Sequence, residues 1–181
     1  MNILDIFLNS LLLIITFNHD LWEIIILSLY VSFIALIIGS VLGILFGYYL
    51  ALKVFIFKNI ILIVINSLMG IPPVVVGLIV YFIFASGGPL GIFELLYSPT
   101  AMIIAQIIII FPIVASISHE IFFKNWHEFK DEFRSLNMPY FGIAKILVGH
   151  SYSLIITALL SAYGRAISEV GAVMIVGGNI D

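Results

Sequence analysis

Apolar residues fall into four long runs along this chain, at positions 21–50, 60–85, 101–121 and 151–176, with polar residues gathered between them. A helix that crosses the ~30 Å hydrocarbon core of a bilayer needs about 20 predominantly apolar residues. Each run therefore predicts a membrane-spanning helix. Trp22 and the pair Tyr48-Tyr49 stand near the two ends of the first run, where aromatic anchors meet the headgroup region. Residues 2–17 are also apolar but form a shorter stretch. They fit a segment lying in the interface better than a fifth, tilted span, and they lack the basic start of a cleaved signal peptide. The expected fold is all-α: a polytopic helix bundle in one transmembrane domain over residues 1–181, with 1–20 at the membrane surface.

Seven basic residues orient that bundle. Lys53 and Lys58 lie between the first two runs, and Lys124, Lys130, Arg134 and Lys145 between the third and fourth; only Arg165 falls within a run. Cytoplasmic loops collect Lys and Arg, so both clusters mark the inside. The segment 86–99 carries Gly87-Gly88-Pro89 and no basic residue; it is then outside, and so is the N-terminus. Composition agrees with a membrane setting, since the chain is 63% hydrophobic and 9% charged where soluble domains carry about 25% charged residues. There is no cysteine, which excludes disulfide frameworks and thiolate chemistry in this chain. No nucleic-acid partner is expected.

The helix faces carry more information than the runs themselves. Ala35, Gly39, Gly43 and Gly47 recur every four residues, a ridge of small side chains on which another helix backbone can come close. Pro72-Pro73 sit in the middle of the second run, flanked by Gly70 and Gly77. Each proline removes a backbone donor and clashes with the preceding turn, so a kink or break belongs there. The freed carbonyls need partners, which places this face in protein or along a cavity, unless the prolines make only a packing kink. In the fourth run Thr157, Ser161, Arg165 and Glu169 are spaced by four and share one stripe, with Ser168 beside it and Ala158, Ala162 and Ala166 next to it. Ionisable residues at membrane depth face a bundle interior or a water-filled path, so the stripe predicts a hydrophilic route. Arg165 and Glu169 can equally pair with each other and serve only to hold helices together.

The inside segment 125–148 reads as helix–turn–helix. Asn125 followed by Glu128 has the form of a capping box ahead of a helix over 126–136. Asn137 suits the left-handed conformation that ends a helix, and Pro139 suits the start of a second one through Val148. Lys130, Asp131, Glu132 and Arg134 are interleaved with Trp126, Phe129, Phe133, Met138, Tyr140 and Phe141. Apolar surface rimmed by charge predicts a docking site for another protein; the alternative is that these aromatics lie along the bilayer interface. Catalytic signatures are missing: there is no G-x-x-x-x-G-K-[ST], no second histidine after His119-Glu120 in H-E-x-x-H spacing and no G-x-S-x-G. His19, His119, His127 and His150 are scattered, so no catalytic residue and no metal site is assigned.

A cytoplasmic helix–turn–helix followed by a further span resembles the layout of ABC importer permeases. Asp131-Glu132-Phe133-Arg134-Ser135-Leu136-Asn137 stands where that family carries an E-A-A…G motif. The acidic start, Arg134 and Leu136 are retained, the alanines are not, and Asn137 stands in place of the glycine. Longer stretches are more specific. Asn-Ser-Leu-Met-Gly-Ile-Pro-Pro-Val-Val-Val-Gly-Leu at 66–78, Gly-Pro-Leu-Gly at 88–91 and Ser-Pro-Thr-Ala-Met-Ile-Ile-Ala-Gln at 98–106 resemble the tungstate-type oxyanion permeases. So do Gly-Arg-Ala-Ile-Ser-Glu-Val-Gly-Ala at 164–172 and Val-Gly-Gly-Asn-Ile at 176–180. Molybdate and sulfate permeases carry a related Arg-Ala-x-x-Glu-x-Gly-Ala segment.

The resemblance covers roughly 21–180 and implies a type I ABC importer permease bundle with a cytoplasmic coupling helix. It implies import of a tetrahedral oxyanion, tungstate first, with molybdate or sulfate as alternatives. A membrane-embedded enzyme using Arg165, Glu169 and His150, or an assembly scaffold, are the competing classes. By the same resemblance Asp131, Glu132, Arg134, Ser135, Leu136 and Asn137 would meet an ATP-binding subunit. Thr157, Ser161, Arg165, Ser168 and Glu169 would line the translocation path, and Pro72, Pro73 and Gly171 would let helices bend. The implied assembly is a permease homodimer in a bacterial or archaeal inner membrane, surrounded by lipid. It works with a periplasmic or lipid-anchored oxyanion-binding protein and with separate subunits that hold ATP and Mg, leaving no cofactor in this chain. Such permeases end with one more span, so a C-terminally truncated chain is expected.

Overall fold

A chain this apolar can enter lipid only if its backbone polar groups pair within the segment, and helices achieve that. Every regular element in the described residues is accordingly a helix. The computed structural model describes residues 19–168 and 175–177; the segment expected at the interface, together with Glu169 and Gly171, lies outside the described residues. The helices are α1 (His19–Leu52), α2 (Lys58–Leu68), α3 (Pro73–Phe84), a short 3₁₀ turn (Gly91–Phe93), α4 (Pro99–Ser135), α5 (Tyr140–His150) and α6 (Tyr152–Ser168). The described residues thus form the all-α helix bundle expected from the sequence.

Helices α1 and α4 form the axis of the molecule. The small-residue ridge of α1 lies directly on α4. A Cβ added at Gly39 would stand 2.9 Å from Ile110 Cγ2, and one at Gly43 would stand 2.8 Å from Val114 Cβ and 3.0 Å from the Ala115 nitrogen. At Gly47 it would meet the Ala115 carbonyl oxygen at 2.7 Å and the His119 nitrogen at 2.8 Å. Those distances leave no room for any side chain, so glycine here is a packing requirement. Ala35 continues the ridge and is fully buried with Ile110, Ile113, Val114, Ala162 and Ala166.

The third apolar run and the first half of the inside segment are one helix. A stop near 121 and a fresh start capped by Asn125 were expected; α4 instead runs unbroken for 37 residues, about 55 Å at 1.5 Å per residue. The physical reason is that no glycine or proline interrupts 113–135, so nothing outweighs helix continuation. Asn125 is not a cap. It is buried in mid-helix, and its Nδ2 donates to Ser151 Oγ at 2.5 Å. Helical structure also continues through the buried Pro112.

The second and fourth runs are bent. At Pro72-Pro73 one helix ends and another begins: Pro72 is extended (φ −60°, ψ 131°) and Pro73 opens α3. Helices α2 and α3 meet at 103° and α5 and α6 at 76°, the second bend falling at Ser151. Among the described residues two helices, Leu21–Leu52 and Pro99–Ser135, are long and apolar enough to cross a membrane, and up to four crossings result if each bent pair forms one. At the end of the bundle away from the basic segment, Ser98 caps α4 by accepting from the Ala101 nitrogen at 3.4 Å. Val76, Val80, Phe84, Ala101, Ala105 and Val176 form a core there, and Tyr97 N–H donates to the Val176 carbonyl at 3.0 Å.

The α1–α4 contact makes a paired prediction. Gly47→Leu should destabilise the fold by ~1–3 kcal/mol or more through overpacking. Gly164→Ala, where an added Cβ meets nothing within 4 Å, should be neutral or stabilise by up to ~1 kcal/mol. Denaturation of the purified chain in detergent checks both.

Candidate functional site

Helix α4 ends in a turn built by its last residues. Asn137 takes the left-handed conformation (φ 53°). Its N–H donates to the Arg134 carbonyl at 3.0 Å, and Met138 N–H donates to the Phe133 carbonyl at 3.1 Å. That pair of bonds is the Schellman arrangement, and the accompanying apolar contact is present because Phe133 and Met138 share one core. Pro139 then leads into α5. The corner is fastened to the end of α1: Tyr48 Oη donates to the Tyr140 carbonyl at 2.7 Å, and Lys53 Nζ sits 4.5 Å above the Tyr140 ring. Asp131, Glu132, Arg134, Ser135, Leu136 and Asn137 are all exposed on this corner.

The aromatics of the inside segment do not form the open surface that their interleaving with charge predicts. Phe133 is buried with Phe122, Ile143, Leu147 and Ile155, and Trp126, Phe129 and Met138 pack against this core. Trp126 stacks on Phe133 with ring centroids 6.2 Å apart and an interplanar angle of 15°. The reason is the 76° bend, which folds α5 back on the extension of α4. What stays open is Leu136, Tyr140 and Phe141, at 70%, 60% and 85% exposure. The surface left open is thus a small apolar tip on a charged corner.

On α6 the faces sort in an unexpected way. The alanine stripe, Ala158, Ala162 and Ala166, is the buried face, whereas Thr157, Ser161 and Ser168 are exposed. Methyl groups allow the closest approach to α4 and α1, so they take the interior of this chain. The hydroxyls tolerate the outer face by bonding to their own helix: Thr157 donates to the Ser153 carbonyl at 3.0 Å, Ser161 to the Thr157 carbonyl at 2.9 Å and Ser168 to the Arg165 carbonyl at 2.8 Å. Arg165 is half-buried and helps to line a cavity of ≈ 70 Å³ with Leu68, Met69, Ile71, Val76 and Ile109. The intramembrane cation and the α2–α3 break at Pro72-Pro73 are therefore brought together. A second, open groove of ≈ 410 Å³ lies at the basic end, lined by Glu120, Lys124, Glu128 and His150. Among the described residues no three carboxylates or histidines converge as metal ligands.

Residues 39–180 match the family described as the binding-protein-dependent transport system inner membrane component. The chain belongs to that family. It is 42% identical over 153 residues to a probable anion ABC transporter permease protein of Haloferax volcanii, covering 84% of this chain and 66% of the relative. It is 35% identical over 168 residues to the tungstate uptake system permease protein TupB of Peptoclostridium acidaminophilum, covering 93% and 74%. Against the TupB protein of Campylobacter jejuni it is 37% identical over 128 residues, covering 68% and 52%. The chain thus spans just under two thirds of the first of these relatives and about half of the last. All three carry the name of transporter permeases, and this chain carries the inner membrane component of a binding-protein-dependent transport system.

Two residues of this permease carry interactions that sequence reasoning did not identify. Gln106, in α4, is 3% exposed. Its Nε2 donates to Ser32 Oγ on α1 at 3.2 Å and to the Ala166 carbonyl on α6 at 3.4 Å. Its Oε1 is buried and has no donor, which costs ~1–3 kcal/mol for a neutral acceptor. The available signal was an amide in the middle of an otherwise apolar run, at a depth where polar groups act between helices. Asn125 is the other. Its local context reads as a cap, and only the tertiary contact to Ser151 reveals that it braces the α5–α6 bend.

Because Asn125 and Ser151 share one buried hydrogen bond, Asn125→Ala and Ser151→Ala should each cost ~1–3 kcal/mol. The double variant should cost little more than either alone, a coupling that a double-mutant cycle in detergent denaturation measures.

Proposed function

We propose that the chain is the membrane-spanning permease subunit of an ATP-driven importer for a tetrahedral oxyanion, tungstate in particular. The observation that carries the coupling mechanism is the unbroken helix α4, which joins the exposed corner at 131–137 to the centre of the bundle. The names of the relatives support the substrate: two are tungstate uptake permeases and one is a probable anion permease. Family membership supports two kinds of partner, an ATP-binding subunit and a substrate-binding protein.

In this reading two permease copies face each other in the inner membrane, with the N-terminus outside and the corner in the cytosol. ATP binding closes the nucleotide-binding subunits and displaces the corner. Helix α4 has no joint between corner and bundle, so the displacement reaches α1 through the glycine contact and shifts the pair against the alanine face of α6. The α2–α3 break beside Arg165 takes up the bend; Gly171 and Glu169 keep the hinge and path roles assigned from sequence. Across the central path the two copies present the hydroxyl faces of α6. Those hydroxyl protons are committed to backbone carbonyls, so the path offers an anion few donors and no trap. Arg165 supplies general attraction, and choice among tungstate, molybdate and sulfate rests with the binding protein.

The test is uptake into proteoliposomes holding the permease, its ATP-binding subunit and the loaded binding protein. ATP-dependent accumulation of tungstate is expected, with Arg134→Glu weakening co-purification of the ATP-binding subunit and lowering uptake by about tenfold or more, as for loss of ~1.4 kcal/mol or more at an interface. ATP-independent accumulation would overturn the importer reading. Unchanged co-purification with Arg134→Glu would overturn the placement of the coupling contact.

A further inference from the structure

The buried amide of Gln106 has an asymmetry that a purely structural link would not need. Its nitrogen serves two acceptors on two other helices, both at distances longer than the usual ~2.9–3.0 Å. Its oxygen, equally buried, serves none. The amide cannot turn over to correct this, because the Ala166 carbonyl accepts only and requires the nitrogen. Two long bonds gained against one acceptor stranded make a tie of small net strength. Buried polar groups left unpaired in a folded protein call for a specific cause.

The surroundings show which helix the tie can release. Helices α1 and α4 are held by interlocking backbone at Gly43 and Gly47, so they move together. Helix α6 meets them through the smooth methyl face of Ala158, Ala162 and Ala166, which offers little steric resistance to sliding. Ala166 is the neighbour of Arg165, so the Gln106 bond sets where Arg165 stands against the α2–α3 break.

We propose that Gln106 is a releasable latch, a positioning residue that holds α6 in one register and lets it go during the transport cycle. When α6 shifts and the Ala166 carbonyl withdraws, Nε2 loses only the longer of its two bonds and keeps the one to Ser32 Oγ. Giving up that single long bond is a small cost, so the two registers lie close enough in free energy for both to be visited, as a bundle that alternates requires. The functional half of this inference rests on the importer reading; the latch itself does not.

Gln106→Leu tests it in the complete complex in nanodiscs. The orphan disappears, so the melting temperature should hold or rise. The maximal uptake rate should nevertheless fall about tenfold, with the half-saturating concentration of loaded binding protein unchanged. Parallel losses of stability and rate in Gln106→Leu would make Gln106 ordinary helix glue and overturn the latch; so would an unchanged rate. If the wild-type complex does not import, the importer reading fails separately. Amide hydrogen exchange then decides the latch: Gln106→Leu should speed exchange at 164–168 but not in α4, and unchanged exchange there would overturn it.

Discussion

The close contact between α1 and α4 is the constraint on which the rest of this structure depends. Inside a bilayer, helices gain nothing by hiding apolar side chains from a solvent that is itself apolar, so packing and interhelical hydrogen bonds must hold them. Gly39, Gly43 and Gly47 bring the α1 backbone against α4 over more than two turns. Around this pair the other elements find their places. Ala162 and Ala166 of α6 join the same core, α2 packs at Ile65 and Ala115, and α3 packs at Ala101 and Ala105. Phe122 and Phe133 draw α5 onto the far end of α4.

That axis also accounts for how a signal could leave the membrane. Helix α4 is about 25 Å longer than a ~30 Å hydrocarbon core, so the helix that fills the centre of the bundle is also the arm of the corner proposed for coupling. The corner is stiff for local reasons: two carbonyls of the last turn are satisfied by the Schellman bonds at Asn137 and Met138, and Tyr48 and Lys53 fasten Tyr140 to α1. A load applied at Leu136 meets no flexible segment before it reaches Phe122. By contrast the bends at Pro72-Pro73 and Ser151, and the alanine face of α6, are places where geometry can change cheaply. Rigidity and compliance are thus separated by element, as the proposed transport cycle requires.

Much of this was legible in residue patterns whose cause is local. A four-residue repeat of glycine has few uses in a membrane helix besides close approach. Asn137 before Met138 and Pro139 marks a left-handed helix end because few residues tolerate that conformation. Features set by tertiary contact were hidden. Asn125 and Glu128 have the chemistry of a cap, but a cap forms only where a helix stops, and nothing stops α4 before Ser135. Trp126, Phe129 and Phe133 alternate with charges as a docking surface would, yet the bend at Ser151 covers them. The hydroxyl stripe of α6 was identifiable as a stripe, but which side of the bundle it faces depends on the alanines packing better. Gln106 stood in plain view inside a resembling motif, and its partners Ser32 and Ala166 lie 74 and 60 residues away in sequence.

The proposed coupling requires that the corner lie on the cytosolic side of the membrane. The chain has no cysteine, so Leu136→Cys places a unique thiol on the exposed tip. A membrane-impermeant maleimide should leave it unlabelled in intact cells and label it fully in inside-out vesicles stripped of peripheral subunits. Labelling in intact cells, with protection in inside-out vesicles, would put the corner beyond the reach of any ATP-driven partner and contradict the account.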